Sequence, residues 1–205
     1  MRSFVAIVGL VFVVNSLGFS GSETRYEPGV LTAEEPLQAS TIALAFDFNG
    51  YKITPLADYK ITGRVVARNS YWFGREAELS PTDLALAWGP VSDQAVIDDL
   101  KFSLSLRYLR WAASDLPLAR EVIESHLANN HIIPANREVA MQLEQISEGQ
   151  LVSLSGKLIK ASSAEGADGW DWTSSLSRTD EGVDSGELLY VDKIEVLTAT
   201  RRSLS

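Results

Sequence analysis

Between Leu151 and Lys160 apolar and polar positions alternate. Val152, Leu154, Gly156 and Leu158 share one face, and Ser153, Ser155 and Lys157 share the other. A period of two marks a strand with one face buried. Beyond a polar loop at 162–169 the alternation resumes from Trp170 to Leu176, with Trp170 and Trp172 on the same side. An acidic, glycine-containing loop follows, and Leu188 to Leu197 closes the unit. There Leu189 and Val191 keep one phase and Ile194 and Val196 the other, which predicts a bulge at Asp192-Lys193.

Upstream, Ile42, Leu44, Phe46 and Phe48 alternate with Ala43, Ala45, Asp47 and Asn49, and Asn49-Gly50 leads into Tyr51-Lys-Ile53. Both turn residues tolerate the positive φ of a type I′ turn, so a hairpin is expected. Pro55 should end it. Tyr59, Ile61, Gly63, Val65 and Ala67 then form a strand, with Lys60, Thr62, Arg64 and Arg68 outward. Ser80-Pro81-Thr82-Asp83 carries the residues of a helix start, and Gly89-Pro90 would stop that helix after Trp88. A short helix from Ser92 to Leu100 and a strand from Phe102 to about Trp111 come next. Pro117 opens a helix that Asn129-Asn130 would end. Asn136 caps another, with Val139, Ala140, Leu143 and Ile146 as its buried stripe and Gly149 at its end.

This order predicts an α+β fold: a small antiparallel β-barrel-like sheet, OB-like by analogy, with several short helices. At 205 residues the chain suits one domain. Arg2 followed by the apolar run from Phe4 to Val14 has the form of an export signal. Ser16-Leu17-Gly18 offers a cleavage site. Kept as an anchor, Phe4 to Phe19 would span roughly 24 Å as a helix, short of a ~30 Å hydrocarbon core. Either outcome puts the body outside the cytoplasm. The expected organisation is therefore a signal peptide or membrane anchor at 1–19 and a polar tether at 20–40. A single domain at 41–199 and a basic tail at 200–205 complete it. Membrane contact is expected through the N-terminal segment alone.

A net charge of −9, with Arg201-Arg202 as the basic cluster, disfavours nucleic acid as a partner. The chain contains no cysteine, so its core must hold it without disulfides.

Three constellations are candidates for chemistry. Trp88-Gly89-Pro90-Val91-Ser92-Asp93 sets an aromatic beside a turn, either as a stacking rim or as a helix corner with Trp88 in the core. The segment from Glu124 to Pro134 holds both histidines, His126 and His131, with Asn129 between them. On one continuous helix the two rings would point about 140° apart, so they share a metal only if the helix stops between them. No spaced ligand set for zinc accompanies them. The plainer reading puts His126 at the carbonyls of a helix C-terminus. Trp170-Asp171-Trp172 could stack sugars or bases on an exposed face, or fill a buried one. No Gly-x-Ser-x-Gly elbow is present. No catalytic residue, metal or cofactor is therefore assigned.

Pro28–Pro36, Ile53-Thr-Pro-Leu-Ala-Asp-Tyr59, Asp83-Leu-Ala-Leu-Ala-Trp-Gly-Pro-Val-Ser-Asp93, His126–Ala135 and Trp172-Thr-Ser-Ser-Leu176 are taken together. The combination resembles a group of uncharacterised exported or membrane-anchored bacterial proteins. The resemblance covers most of the chain and implies an architecture and an address, with no known activity. The expected function is an extracytoplasmic, non-enzymatic module that binds a protein or glycan of the cell envelope. The alternative is a hydrolase or metal-dependent enzyme centred on His126 and His131.

Overall fold

A computed structural model describes residues 24–163, 169–177 and 186–198. The segment at 1–19 expected to act in export, the tail at 200–205 and most of the two loops flanking Trp170–Ser177 lie outside the described residues. In chain order the elements are β1 (Leu37–Ser40), β2 (Phe46–Phe48), β3 (Tyr51–Ser70), α1 (Arg75–Leu79), β4 (Thr82–Ala87), α2 (Gln94–Asp98) and β5 (Lys101–Ser105). They continue with β6 (Tyr108–Ala112), α3 (Arg120–Ser125), β7 (Leu127–Pro134), α4 (Arg137–Gln145), β8 (Leu151–Ser163), β9 (Asp171–Thr173) and β10 (Glu187–Leu197). The fold is α+β, mostly sheet with a few short helices. Strands β3, β4, β7, β10 and β8 pair in that order, and β8 pairs back onto β3, giving a ring of hydrogen bonds. The sheet is mixed where an antiparallel one was expected. The β7–β10 pair is parallel, because β10 returns beside β7 only after the long excursion through α4, β8 and β9.

Side chains from all five ring strands meet in one core. Ile61, Val65, Leu84, Leu86, Ile132, Val152, Leu154, Leu158, Leu189 and Val191 are buried there, joined by Val139 and Leu143 of α4. Asn136 caps α4 as its sequence predicts, its side chain accepting from the Val139 amide at 3.0 Å. The Asn49-Gly50 turn also forms, with φ of 49° and 81°. The expected phase switch in β10 appears as a register shift between Val191 and Lys193, which keeps Ile194 facing the same core as Val191.

Several expectations are overturned. β3 does not end at Pro55. It runs through it, because a bulge between Pro55 and Ala57 absorbs the missing donor and switches the buried face. Tyr51 and Ile53 therefore pack in one cluster, and Ala57, Tyr59 and Ile61 in another. Residues 82–87 are a strand, not a helix. All six are buried between β3 and β7, so the run shows no polar face that would separate a helix from a strand. Asn129-Asn130 does not stop a helix, since both lie inside β7. Around Trp172 only Asp171–Thr173 is strand. Arg64 is buried rather than outward, with Nη2 2.7 Å from Gln94 Oε1 and 3.1 Å from the Thr24 carbonyl oxygen. The stretch read as a tether is fastened to the domain from Thr24 onward. The Gly29 amide donates to Asp93, those of Leu31 and Thr32 donate to Ser92, and β1 pairs with β3.

The strand expected from Phe102 to Trp111 is a hairpin instead, β5 against β6. Its tip is Leu106-Arg107, at φ of 52° and 67°, without the Asn-Gly that such a reversal favours. Each L-residue held left-handed costs roughly 1–2 kcal/mol. Leu106 is 78% exposed and recovers little of that by packing. Leu106→Asn should therefore raise stability by about 1 kcal/mol, since Asn tolerates this backbone. Equilibrium urea melts check it, and a loss of stability would mean that the leucine side chain matters to the folded state.

Candidate functional site

Pairing of β4 with β7 sets Asp83 directly across from His131, on the face turned away from the ring core. Asp83 is fully buried, and His131 Nδ1 lies 2.9 Å from its Oδ1, off the line of a good hydrogen bond. The second partner of this carboxylate comes from the hairpin tip. Arg107 Nη1 is 2.7 Å from Asp83 Oδ1, and Nη2 donates to the Ser80 carbonyl at 2.8 Å. Two aromatic rings flank the guanidinium, Tyr71 at 4.0 Å and Trp172 at 5.1 Å from its carbon. The tip backbone is held as well. The Arg107 amide donates to Tyr71 Oη at 3.0 Å, and Asn129 Nδ2 donates to the Arg107 carbonyl at 2.7 Å. Trp172 also stands 5.0 Å from His131, and Gly186 passes beside His131 Nε2, where a Cβ would come within 2.5 Å.

Among the described residues, Asp83 Oδ2, Asn129 Oδ1 and Ser80 Oγ are buried without a hydrogen-bond partner. Each such group costs about 1–3 kcal/mol. The cluster thus holds more acceptor capacity than Arg107 uses.

The same end of the ring carries further aromatic side chains. Trp170 packs 5.4 Å from Tyr51, and Arg75 lies 5.2 Å over the Trp170 ring. Trp72 and Phe73, in the connection after β3, are 83% and 94% exposed. Burial and the nearby Asp83 charge both push the Tyr71 phenol up from its ordinary value of 10.0; burial dominates for Tyr51 and Tyr190, which move the same way. A raised folded pKa stabilises fully below the unfolded value, and that contribution is lost as pH rises through the folded one. Stability should therefore hold level up to about pH 10 and then fall as these phenols are forced to ionise. Denaturant melts across that range check this, and an unchanged midpoint through full phenolate formation would contradict it.

The remaining expected site residues sit elsewhere. His126 follows α3 and its Nδ1 is 2.8 Å from the Val122 carbonyl oxygen, in the helix-end position anticipated for it. Its Nε2 is 3.5 Å from Glu35, whose other oxygen accepts from the buried Trp88 indole at 3.1 Å. The two histidines are five residues apart, roughly 16 Å of extended chain, and each has its own tryptophan and its own acid. Among the described residues no three His, Cys, Asp or Glu side chains are grouped to hold a metal. Trp170, Trp172, Asn129 and His131 do share one end of the ring, while Trp88 and His126 do not join them. A cleft of about 270 Å³ lies between Arg25, Arg64, Phe102 and Glu148, where Arg25 is paired with Asp98 and Arg64 donates to Gln94.

Sequence reasoning missed Asp83, Arg107 and Tyr71. One signal was present: Asp83 is the lone charge in an otherwise buried run.

The chain matches no family model, no curated protein and no solved structure.

Proposed function

We propose that this protein is an extracytoplasmic, non-enzymatic binding module that takes a protein or glycan of the cell envelope on its aromatic end. The supporting observation is that the exposed Trp72 and Phe73 follow Tyr71 at the end of the ring where Trp170 and Trp172, half-buried on a core cluster, stand beside Arg75, Arg107 and His131. Numbered within the ring, the strands run 1-2-3-5-4 and close on 1, an order that favours reading the ring as an OB-like barrel. Such folds bind ligands on the face of strands 2 and 3, between the loops after strands 1 and 4. Here those are β4, β7, the 71–81 connection and the segment carrying Trp170 and Trp172. This is a fold-level analogy, and the aromatic side chains give it chemical content. The charge of −9 argues against a polyanionic ligand. The enzyme alternative has no comparable support, because His126 and His131 belong to separate clusters.

Two experiments test the reading. A photo-crosslinking residue at position 72 should trap a partner in cells, whereas one at the exposed Glu195, where β10 pairs with the start of β8, should not. Equal labelling from both positions, or none from 72, would sink it. Fusing residues 1–40 to a reporter active only outside the cytoplasm should give signal, and a silent reporter would remove the extracytoplasmic part.

A further inference from the structure

The surroundings of Arg107 have the chemistry of a guanidinium receptor. Two aromatic faces, one fully buried carboxylate and one backbone carbonyl enclose a flat cation. Stacking and charge-assisted hydrogen bonding of this kind suit arginine better than lysine. The resident arginine nevertheless fits it incompletely. Nη1 and Nη2 go to different residues instead of gripping Asp83 with both, and Asp83 Oδ2 and Asn129 Oδ1 are left without hydrogen-bond partners among the described residues. It also arrives from a backbone held left-handed at two successive non-glycine residues, and strain of that sort gathers at clamps and switches.

The element that delivers it pairs with no strand of the ring and is attached through its tip and the half-buried Phe102 and Trp111. β5 and β6 form a two-stranded sheet of their own whose residues are exposed or half-buried, and such ribbons are marginal alone. Because Tyr71 stacks on Arg107, the exposed Trp72 and Phe73 and the exposed Leu106 border the same spot. A net charge of −9 favours a cationic visitor.

We propose that Arg107 is the chain's own occupant of a guanidinium site, and that the β5–β6 hairpin is a displaceable plug. An arginine side chain of a partner protein replaces it, engages both oxygens of Asp83 between Tyr71 and Trp172, and sets the partner's apolar surface against Trp72 and Phe73. This rests on the aromatic end being the binding end.

The probe is N-acetyl-arginine amide, titrated into the full chain and followed by tryptophan fluorescence and calorimetry. Arg107→Ala should bind it at least about tenfold more tightly than the wild-type chain does, because the internal competitor is gone. The uncharged N-acetyl-citrulline amide should not bind, and Asp83→Asn combined with Arg107→Ala should abolish binding of the arginine probe. Equal affinity in the wild-type and Arg107→Ala chains, or no binding to Arg107→Ala, overturns the proposal. Should Arg107→Ala fail to fold, hydrogen exchange on the wild-type chain decides: the arginine probe should speed exchange in residues 101–112 and the citrulline probe should not. Unchanged exchange overturns it equally. An Arg107→Ala chain that ignores the probe while position 72 still crosslinks a partner sinks this inference alone. Loss of crosslinking at 72 sinks the binding-end reading beneath it.

Discussion

Asp83→Asn is expected to lower folding stability by about 3–5 kcal/mol, the cost of breaking a buried ion pair by removing one partner. Asp83 is fully buried, and Arg107, mostly buried itself, would keep its charge with only the Ser80 carbonyl and two aromatic faces to receive it. The hairpin tip is left-handed at both central residues, so loosening Arg107 should also free β5 and β6. The effect should be strongly coupled to position 107. Asp83→Asn with Arg107→Ala ought to cost clearly less than the two single losses added, because the double change strands no charge. A urea-melt cycle on the four chains measures this. Additive losses would mean that the pair contributes little as a pair.

Gly156→Ala should be comparably severe, above about 4 kcal/mol, a size reserved for a named steric or polar fault. A Cβ at 156 would strike the backbone carbonyl of Tyr190 and crowd Val191. These are main-chain atoms of the neighbouring ring strand, at the bulge of β10, and cannot swing aside as a side chain would. Relief requires parting β8 from β10, which opens the ring. Ser155→Ala, one residue away, should stay within about half a kcal/mol. If both variants melt alike, β8 and β10 separate far more readily there than their register implies.

What could be read in the sequence divides along physical lines. Local chemistry was legible: Asn49-Gly50 makes its turn because only such residues take two positive φ values cheaply, and Asn136 caps because its side chain reaches the Val139 amide. One-sided burial was legible too, as in the inward Val152, Leu154 and Leu158 of β8. The misses fall where tertiary context decides. β4 is buried on both faces, so its pattern carries no period. Pro55 reads as a break until pairing with β8 sets the bulge in β3 that tolerates it. Leu106-Arg107 gives no turn signal at all, because a long-range ion pair stabilises that reversal. For the same reason the candidate site was only half visible. Trp170, Trp172, Asn129 and His131 stood out by residue type, whereas Asp83 and Arg107 matter only through a contact spanning 24 positions.

Thr24 and the aromatic end stand at opposite edges of the ring. Thr24 lies against Gly149 and Arg64, at the edge of the ring away from Tyr71, Trp72 and Trp172. β4 alone, running between those edges, is roughly 20 Å long. If the apolar run ending at Val14 remains in a membrane, the nine residues 15–23 are a leash of at most about 30 Å. In that case Thr24 stays within that reach of the bilayer, while Tyr71 and Trp72 lie beyond the opposite end of the β3–β4 pairing.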